Sequence, residues 1–231
     1  MTMVESTRPM DTIQEAKVIA FLDKYLYVKV FDNYELVHDD IRQKQGIDIL
    51  VNEDGKEVRH DIKAQASPSY INNPTPTFCM ELLFDKKNDD ETVHTYNGWF
   101  VRDGLLTDFY GLCWIHKARK NASGYFDSPE DIEELEIYFV DKHKLKEYIN
   151  ESIRDAELLR TAHDMRRCLD KRRFCDEKNR WHYTYSMNLP EKSVNLIVKK
   201  WVLKEFSPKR YIVRKDGLWE LAKDNQKILI T

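Results

Sequence analysis

Two aspartates and a lysine lie close together in the segment QGIDILVNEDGKEVRHDIKAQ, residues 45–65. Asp54-Gly55 predicts a two-residue hairpin turn, because a type I′ turn needs positive φ at both central positions. A turn at those residues places Asp48 opposite Asp61. Directly opposed residues of a hairpin have Cβ atoms about 4.5–5.5 Å apart, and like charges at that distance destabilise the pairing. The hairpin therefore needs a group that offsets this repulsion.

A divalent cation is one such group. Carboxylate and carbonyl oxygens are ligands that Mg²⁺ and Mn²⁺ prefer, and Asp48, Asp61 and the carbonyl of Ile62 supply both kinds. Lys63 points to the same side of the strand as Asp61, where its ammonium group can position a water or stabilise charge on a phosphate. The alternative is the solvent face of an edge hairpin, where charges are common. Leu50 on that face argues against the alternative.

The surrounding residues predict the elements that hold this hairpin. An apolar stripe predicts a helix from Thr12 to about Leu26, and Thr12-x-x-Glu15 fits a capping box in which Glu15 reaches back to the Thr12 amide. On the hairpin itself, the apolar residues fall on the face opposite the aspartates, as a core face should. Aromatic and aliphatic runs predict further strands at 78–84, near 97–101 and near 107–116.

This pattern resembles the PD-(D/E)xK nuclease superfamily, which has the restriction-endonuclease-like fold. The resemblance rests on "GID" followed after a short hairpin by "DIKAQ", which is similar to the family's strand Asp, hairpin and Asp/Glu-x-Lys with a Gln two residues later. One departure is Ile47, which stands where many members have proline. The resemblance covers roughly residues 12–116, and the matching positions are Glu15, Asp48, Asp61, Lys63 and Gln65.

The resemblance implies a metal-dependent nuclease that hydrolyses phosphodiester bonds, with DNA favoured over RNA. Asp48 and Asp61 would then bind Mg²⁺ or Mn²⁺, and Lys63 would position the attacking water. Gln65 would contact water or the DNA backbone. Glu15 would join the catalytic set, a role that does not exclude helix capping. Many relatives cut both strands as dimers, so a homodimer is one expectation.

Basic residues are concentrated in the last third of the chain. Residues 166–180 contain seven lysines and arginines against three acidic residues, and residues 192–215 contain eight against one. A solvated helix face explains either cluster alone. Together with a phosphodiesterase site, both suit contact with a nucleic-acid backbone. The residues expected to make this contact are Arg166, Arg167, Lys171, Arg172, Arg173, Lys199 and Lys200.

A second candidate metal set is His163, Cys168, Cys175 and His182. Its spacing, H-x4-C-x6-C-x6-H, lacks the tight Cys-x2–4-Cys pairs of structural zinc sites. We therefore favour the interpretation that these side chains are scattered over a helix and a loop.

The composition is that of an ordinary globular protein, with 42% hydrophobic and 33% charged residues. The chain contains no P-loop, no dinucleotide fingerprint and no Gly-x-Ser-x-Gly elbow, which disfavours motors, Rossmann dehydrogenases and α/β-hydrolases. No apolar run approaches the roughly 20 residues that span a bilayer, and no signal-peptide pattern is present, so we expect a cytoplasmic protein.

We expect a mixed α/β (α+β) fold, with a restriction-endonuclease-like sheet flanked by helices. The expected organisation is a flexible tail at 1–11, a nuclease-like core at 12–150, and a basic extension at 151–231 packed on the same domain. Two alternatives stay open. One is a nucleic-acid- or protein-binding module that has the fold without catalysis, and the other is an assembly protein with no nucleic-acid role.

Overall fold

The structure, a computed structural model, describes residues 8–88, 91–174 and 178–230. These residues form a mixed α/β fold, as predicted, and their strands belong to two β-sheets. The helices are α1 (Arg8–Leu22), which continues through a π-helical segment (Asp23–Tyr27) into α2 (Val28–Val30), then α3 (Asp40–Lys44), a 3₁₀ turn (Pro129–Asp131), α4 (Lys142–Asn150), α5 (Asp155–Cys168) and α6 (Lys200–Glu205). The first strands are β1 (Tyr34–Leu36), β2 (Ile49–Glu53), β3 (Lys56–Gln65), β4 (Thr77–Lys87), β5 (Val93–Asn97), β6 (Phe109–Ala118) and β7 (Ile132–Asp141). The later strands are β8 (Arg172–Phe174), β9 (Trp181–Tyr185), β10 (Val194–Lys199), β11 (Lys209–Arg214), β12 (Gly217–Leu221) and β13 (Lys227–Ile230).

The chain packs into two units, each built from segments that are distant in sequence. The larger unit contains Arg8–Thr75, Leu106–Leu145 and Leu203–Thr231, and the smaller unit contains Pro76–Leu105 and Lys146–Val202. This division differs from the predicted contiguous segments 12–150 and 151–231. The difference arises because strands pair across long stretches of chain, which local patterns do not reveal.

The larger unit contains an eight-stranded sheet in the order β1-β2-β3-β6-β7-β11-β12-β13. Strands β3 and β6 run parallel, whereas the other neighbouring pairs run antiparallel. The C-terminal strands β11 to β13 therefore extend the same sheet that carries the hairpin. Strands β4 and β5, which fall within the resembling region, belong to the other sheet.

The hairpin of β2 and β3 has the predicted register. Ile49 pairs with His60 and Val51 pairs with Val58, and the turn residues Asp54 and Gly55 have φ of 52° and 78°. The apolar face formed by these strands joins the core under α1, because strand side chains alternate between the two faces. The core residues shared by α1 and the hairpin include Val18, Phe21, Leu22, Ile49, Val51 and Ile62.

Helix α1 begins earlier than the sequence predicts. Residues 8–11, predicted to belong to a flexible tail, form its first turn, and residues 1–7 lie outside the described part of the chain. Thr12 is consequently inside the helix, where its Oγ1 donates a hydrogen bond to the Arg8 carbonyl at 3.1 Å. The capping-box interpretation of Thr12 and Glu15 is therefore wrong, because a capping residue must precede the first helical turn.

The smaller unit contains a five-stranded antiparallel sheet in the order β5-β4-β10-β9-β8. Helix α5 packs on strands β4, β9 and β10, and contributes the buried residues Leu158, Ala162 and Met165. The helix ends where Leu169 adopts a left-handed conformation with φ of 56°, and Arg172–Phe174 then form β8. Among the residues that the structure describes, no helix is long and apolar enough to cross a membrane.

Candidate functional site

Asp48 lies at the end of the β2–β3 pairing. It forms hydrogen bonds with the residues of β3 that precede and follow Asp61. Its main-chain nitrogen donates to the His60 carbonyl at 2.9 Å, and its Oδ2 accepts a hydrogen bond from the Ile62 nitrogen at 2.7 Å. The paired strand β2 itself starts one residue later, at Ile49. At Asp48 the main-chain hydrogen bonds between β2 and β3 end, and the side chain of Asp48 bonds β3 instead.

Lys63 contacts Asp61 and Ile62, two of the three predicted metal ligands. Its Nζ donates to Asp61 Oδ1 at 2.6 Å and to the Ile62 carbonyl at 3.1 Å. The Asp61 side chain is 4% exposed and that of Lys63 is 20% exposed, so this ion pair is largely shielded from water. The Coulomb attraction within a shielded pair is stronger than that within a pair at the surface.

Glu15 reaches the same place from helix α1. Its Oε1 accepts a hydrogen bond from the Ala64 nitrogen at 3.4 Å, and its Oε2 lies 3.9 Å from Lys63 Nζ. With the capping role removed, these are the polar contacts that position the Glu15 carboxylate. The helix and the strand thus bring Glu15, Asp48, Asp61 and Lys63 together, as the resemblance implied.

Burial and mutual repulsion shift the pKa values of these groups. Burial raises the pKa of Asp48 to about 7, with Lys63 opposing the rise and Asp61 adding to it. Burial also raises the pKa of Glu15, and Lys63 again opposes the change. For Lys63, burial alone would lower the pKa, but the neighbouring carboxylates outweigh burial and raise it above its usual value. The raised pKa values of Asp48 and Glu15 mean that their charged forms are disfavoured in the metal-free protein, and a further cation beside them would favour those forms.

The cluster contains oxygen atoms of the types that bind divalent cations. Asp48, Asp61 and the Ile62 carbonyl are the donor types that Mg²⁺ and Mn²⁺ select. Asp61 and Ile62 already accept hydrogen bonds from the Lys63 ammonium group. In residues 8–88, 91–174 and 178–230, no group of three or more His, Cys, Asp or Glu side chains is arranged to hold a metal ion. A metal at this site would therefore depend on the main-chain carbonyl as well as on carboxylates.

Gln65 is engaged with the loop that follows β3. Its Nε2 donates to Thr75 Oγ1 at 3.1 Å, and its Oε1 accepts a hydrogen bond from the Thr75 nitrogen at 3.0 Å. These two bonds join the end of β3 to the end of the loop. Gln65 thus has a structural role that the sequence did not reveal, and its predicted contact with water or DNA stays a prediction.

Thr107 supports the site and was not predicted. Its Oγ1 donates to the Gly46 carbonyl at 2.7 Å inside the protein, and the adjacent Leu106 nitrogen donates to the Gln45 carbonyl at 2.8 Å. These bonds anchor the turn that directly precedes Asp48. No local signal could have identified Thr107, because its partner is 61 residues away in the chain.

The residues expected to contact nucleic acid belong to the smaller unit, and their side chains differ in exposure and ion pairing. Arg166 is held inside the unit by Asp85 at 2.5 Å, with the two side chains 14% and 10% exposed, and it also donates to Thr95. Its charge is therefore balanced internally. Arg167 is exposed beside Asp164.

The remaining members of this set extend from β8 to the start of α6. Lys171 and Arg172 are exposed, and Arg173 pairs with Asp170 at 2.5 Å. Lys199 and Lys200 are half-buried. Lys171 and Arg172 thus fit the prediction of solvent-facing cations better than Arg166 does.

The candidate zinc set has no support in the described residues. Cys175 lies outside them, Cys168 is exposed at the end of α5, and His182 is buried on β9. The interpretation as scattered side chains therefore stands as the simpler one.

Comparisons with protein-family models, with curated proteins and with solved structures give no match for this chain.

Proposed function

We propose that this protein is a metal-dependent nuclease of the PD-(D/E)xK type that hydrolyses phosphodiester bonds, in DNA rather than RNA. The observation that carries the proposal is the contact of Lys63 Nζ with Asp61 Oδ1 and the Ile62 carbonyl, beside the carboxylate of Asp48. These are residues that the family pattern predicts, and the contacts between them support the proposal.

Asp48, Asp61 and the Ile62 carbonyl would hold the divalent cation. When bound, Mg²⁺ or Mn²⁺ lowers the pKa of a water and neutralises charge on a phosphate. Lys63 carries a permanent positive charge that can orient the water or stabilise the developing negative charge. Glu15 keeps Lys63 near the site through its carboxylate and fixes the Ala64 end of the strand.

Substrate binding by the smaller unit would use its exposed cations. Lys171 and Arg172 face solvent, and phosphate contacts of this type dominate the affinity of proteins for nucleic acids. The preference for DNA over RNA comes from the family resemblance.

The proposal is tested by cleavage of single-stranded DNA, duplex DNA and RNA with Mg²⁺ or Mn²⁺. Asp61→Asn and Lys63→Met should each lower the rate by at least about a hundredfold, because each removes a group that stabilises the transition state. Glu57→Gln and Lys56→Met neutralise an acidic residue and a lysine at exposed positions of the same strand, and both should keep the wild-type rate.

The other outcomes separate the alternatives. Cleavage that survives Asp61→Asn contradicts the proposed site. A wild-type protein that binds metal through Asp48 and Asp61 but cleaves none of the substrates has a narrow specificity or needs a partner. A protein that neither cleaves nor binds metal is a binding module with this fold.

A further inference from the structure

The candidate metal site already contains a positive charge. Lys63 Nζ is 2.6 Å from Asp61 Oδ1 and 3.1 Å from the Ile62 carbonyl oxygen. Two of the three expected metal ligands therefore direct their oxygens at an ammonium group. A divalent cation that contacts both oxygens needs distances of about 2.0–2.1 Å for Mg²⁺. The ammonium group and such a metal therefore compete for the same two oxygens.

We propose that the Lys63 ammonium occupies the cation position in the metal-free protein, and that a divalent cation binds by displacing it. This inference rests on the proposed function, because it concerns the same metal site. It adds that the metal binds and the Lys63 ammonium group leaves Asp61 in the same step.

The surroundings of Lys63 permit such an exchange. Its side chain has a flexible four-carbon stem and a compact charge, and it is partly exposed. Glu15 Oε2 lies 3.9 Å from Nζ, so a second carboxylate is close enough to accept the ammonium group after it leaves Asp61. The move therefore does not require the charge of Lys63 to become unpaired.

The exchange has a consequence for catalysis. In the metal-free protein Lys63 offsets the repulsion between Asp48 and Asp61, which answers the physical problem of placing two aspartates together. The bound metal takes over that role. Lys63 then becomes available to a water or a phosphate only when the metal is present, so one side chain serves both states.

The first test measures Mn²⁺ affinity by electron paramagnetic resonance, without any substrate. Lys63→Met keeps the length of the side chain and removes its charge, so we expect Mn²⁺ to bind about tenfold more tightly or better. Lys56→Met removes an exposed lysine from the same strand and should leave the affinity unchanged. Asp61→Asn should abolish binding.

The outcomes distinguish this inference from the proposed function. If Asp61→Asn weakens Mn²⁺ binding while Lys63→Met leaves it equal or weaker, the metal site stands and the exchange is wrong. If Asp61→Asn binds Mn²⁺ as the wild type does, the proposed metal site itself is wrong.

A second test uses only proteins with an intact Lys63, so it does not depend on the folding of the Met variant. Lysines are acetylated with acetic anhydride with and without Mg²⁺, and the modification is measured by mass spectrometry. We expect Mg²⁺ to increase the acetylation of Lys63 in the wild type, because the amine leaves the nearly buried Asp61 for the more exposed Glu15. Lys56 should not change, and Asp61→Asn should remove the effect of Mg²⁺. Acetylation of Lys63 that is unchanged or reduced by Mg²⁺ would overturn the exchange.

Discussion

The carboxylate of Asp48 accepts a hydrogen bond from the main-chain nitrogen of Ile62 at 2.7 Å. One expected metal ligand thereby holds the backbone of another in place. Because the same carboxylate lies beside Asp61 and Lys63, its charge affects both the stability of the protein and the affinity of the site.

Asp48→Asn should stabilise the metal-free protein more at pH 8 than at pH 5. The pKa of Asp48 is raised to about 7 by burial and by the charge of Asp61. A carboxyl group whose pKa is raised on folding stabilises the protein below its unfolded value of about 3.9, and this contribution is lost as the pH rises through 7. The asparagine keeps an oxygen for the Ile62 nitrogen and has no such pH dependence. Urea unfolding of both proteins at the two pH values measures the difference.

Addition of Mg²⁺ should reduce the advantage in stability that Asp48→Asn has over the wild type at pH 8. At a concentration of 100 times its dissociation constant, a ligand stabilises a protein by about 2.7 kcal/mol. We expect this gain at pH 8 for the wild type and a much smaller gain for Asp48→Asn. An equal gain in the two proteins would show that Mg²⁺ binds elsewhere.

The buried pair of Tyr27 and His60 should make the fold sensitive to acid. The Tyr27 hydroxyl lies 2.9 Å from His60 Nδ1, and burial, with a contribution from Lys209, lowers the pKa of His60 to about 3. A histidine whose pKa is lowered stabilises the fold above its unfolded value of about 6.5, and this stabilisation declines as the pH falls toward 3.

A double-mutant cycle isolates this contact. We expect a coupling of about 1 kcal/mol between Tyr27→Phe and His60→Phe at pH 7. His60→Phe should also flatten the loss of stability between pH 6.5 and pH 4, whereas Tyr27→Phe alone should retain most of it. A His60→Phe protein with the wild-type acid sensitivity would show that another group is responsible.

Thr107→Val should weaken metal binding without touching a ligand. The change removes the hydrogen bond to the Gly46 carbonyl and leaves a buried acceptor unpaired, which destabilises the fold by about 1–3 kcal/mol. The turn that positions Asp48 is then less well anchored, so we expect Mn²⁺ affinity to fall several-fold. Thr107→Ser keeps the hydroxyl group and should restore the affinity. If Thr107→Ser fails to do so, the hydroxyl is not what positions the turn.

Arg166 and Arg172 should respond differently to alanine substitution. Arg166 is paired with Asp85 at largely buried positions, so its loss should destabilise the protein by about 3 kcal/mol. Arg172 is exposed, so its loss should leave stability unchanged and reduce the salt slope of DNA binding by about one. Thermal unfolding and a salt titration of DNA affinity separate the two. Equal effects on DNA affinity would contradict the distinction.

The local features of the site were predictable from the sequence. The Asp54-Gly55 turn fixes the register of the hairpin through its own backbone preference, and the alternation of side chains then decides the face of Asp48, Asp61 and Lys63. The mixed α/β class follows from patterns of the same local kind.

The remaining features depend on contacts between distant parts of the chain. Strands β11 to β13 belong to the sheet of the hairpin, and Arg166 forms an ion pair with Asp85. Neither contact has a periodic pattern in the sequence that predicts it. The start of α1 was missed because Thr12 matches a capping pattern that the preceding turn of helix overrides. Thr107 was missed for a similar reason, since a single buried hydroxyl has no neighbours in sequence that mark it.

The most direct test of the proposed site is metal-dependent cleavage of DNA by the wild type and Asp61→Asn, with Glu57→Gln as the control. We expect cleavage with Mg²⁺ or Mn²⁺ in the wild type and the control, and a loss of at least about a hundredfold in Asp61→Asn. Cleavage of equal rate in all three proteins would contradict the assignment of Asp48, Asp61 and Lys63 as a catalytic site.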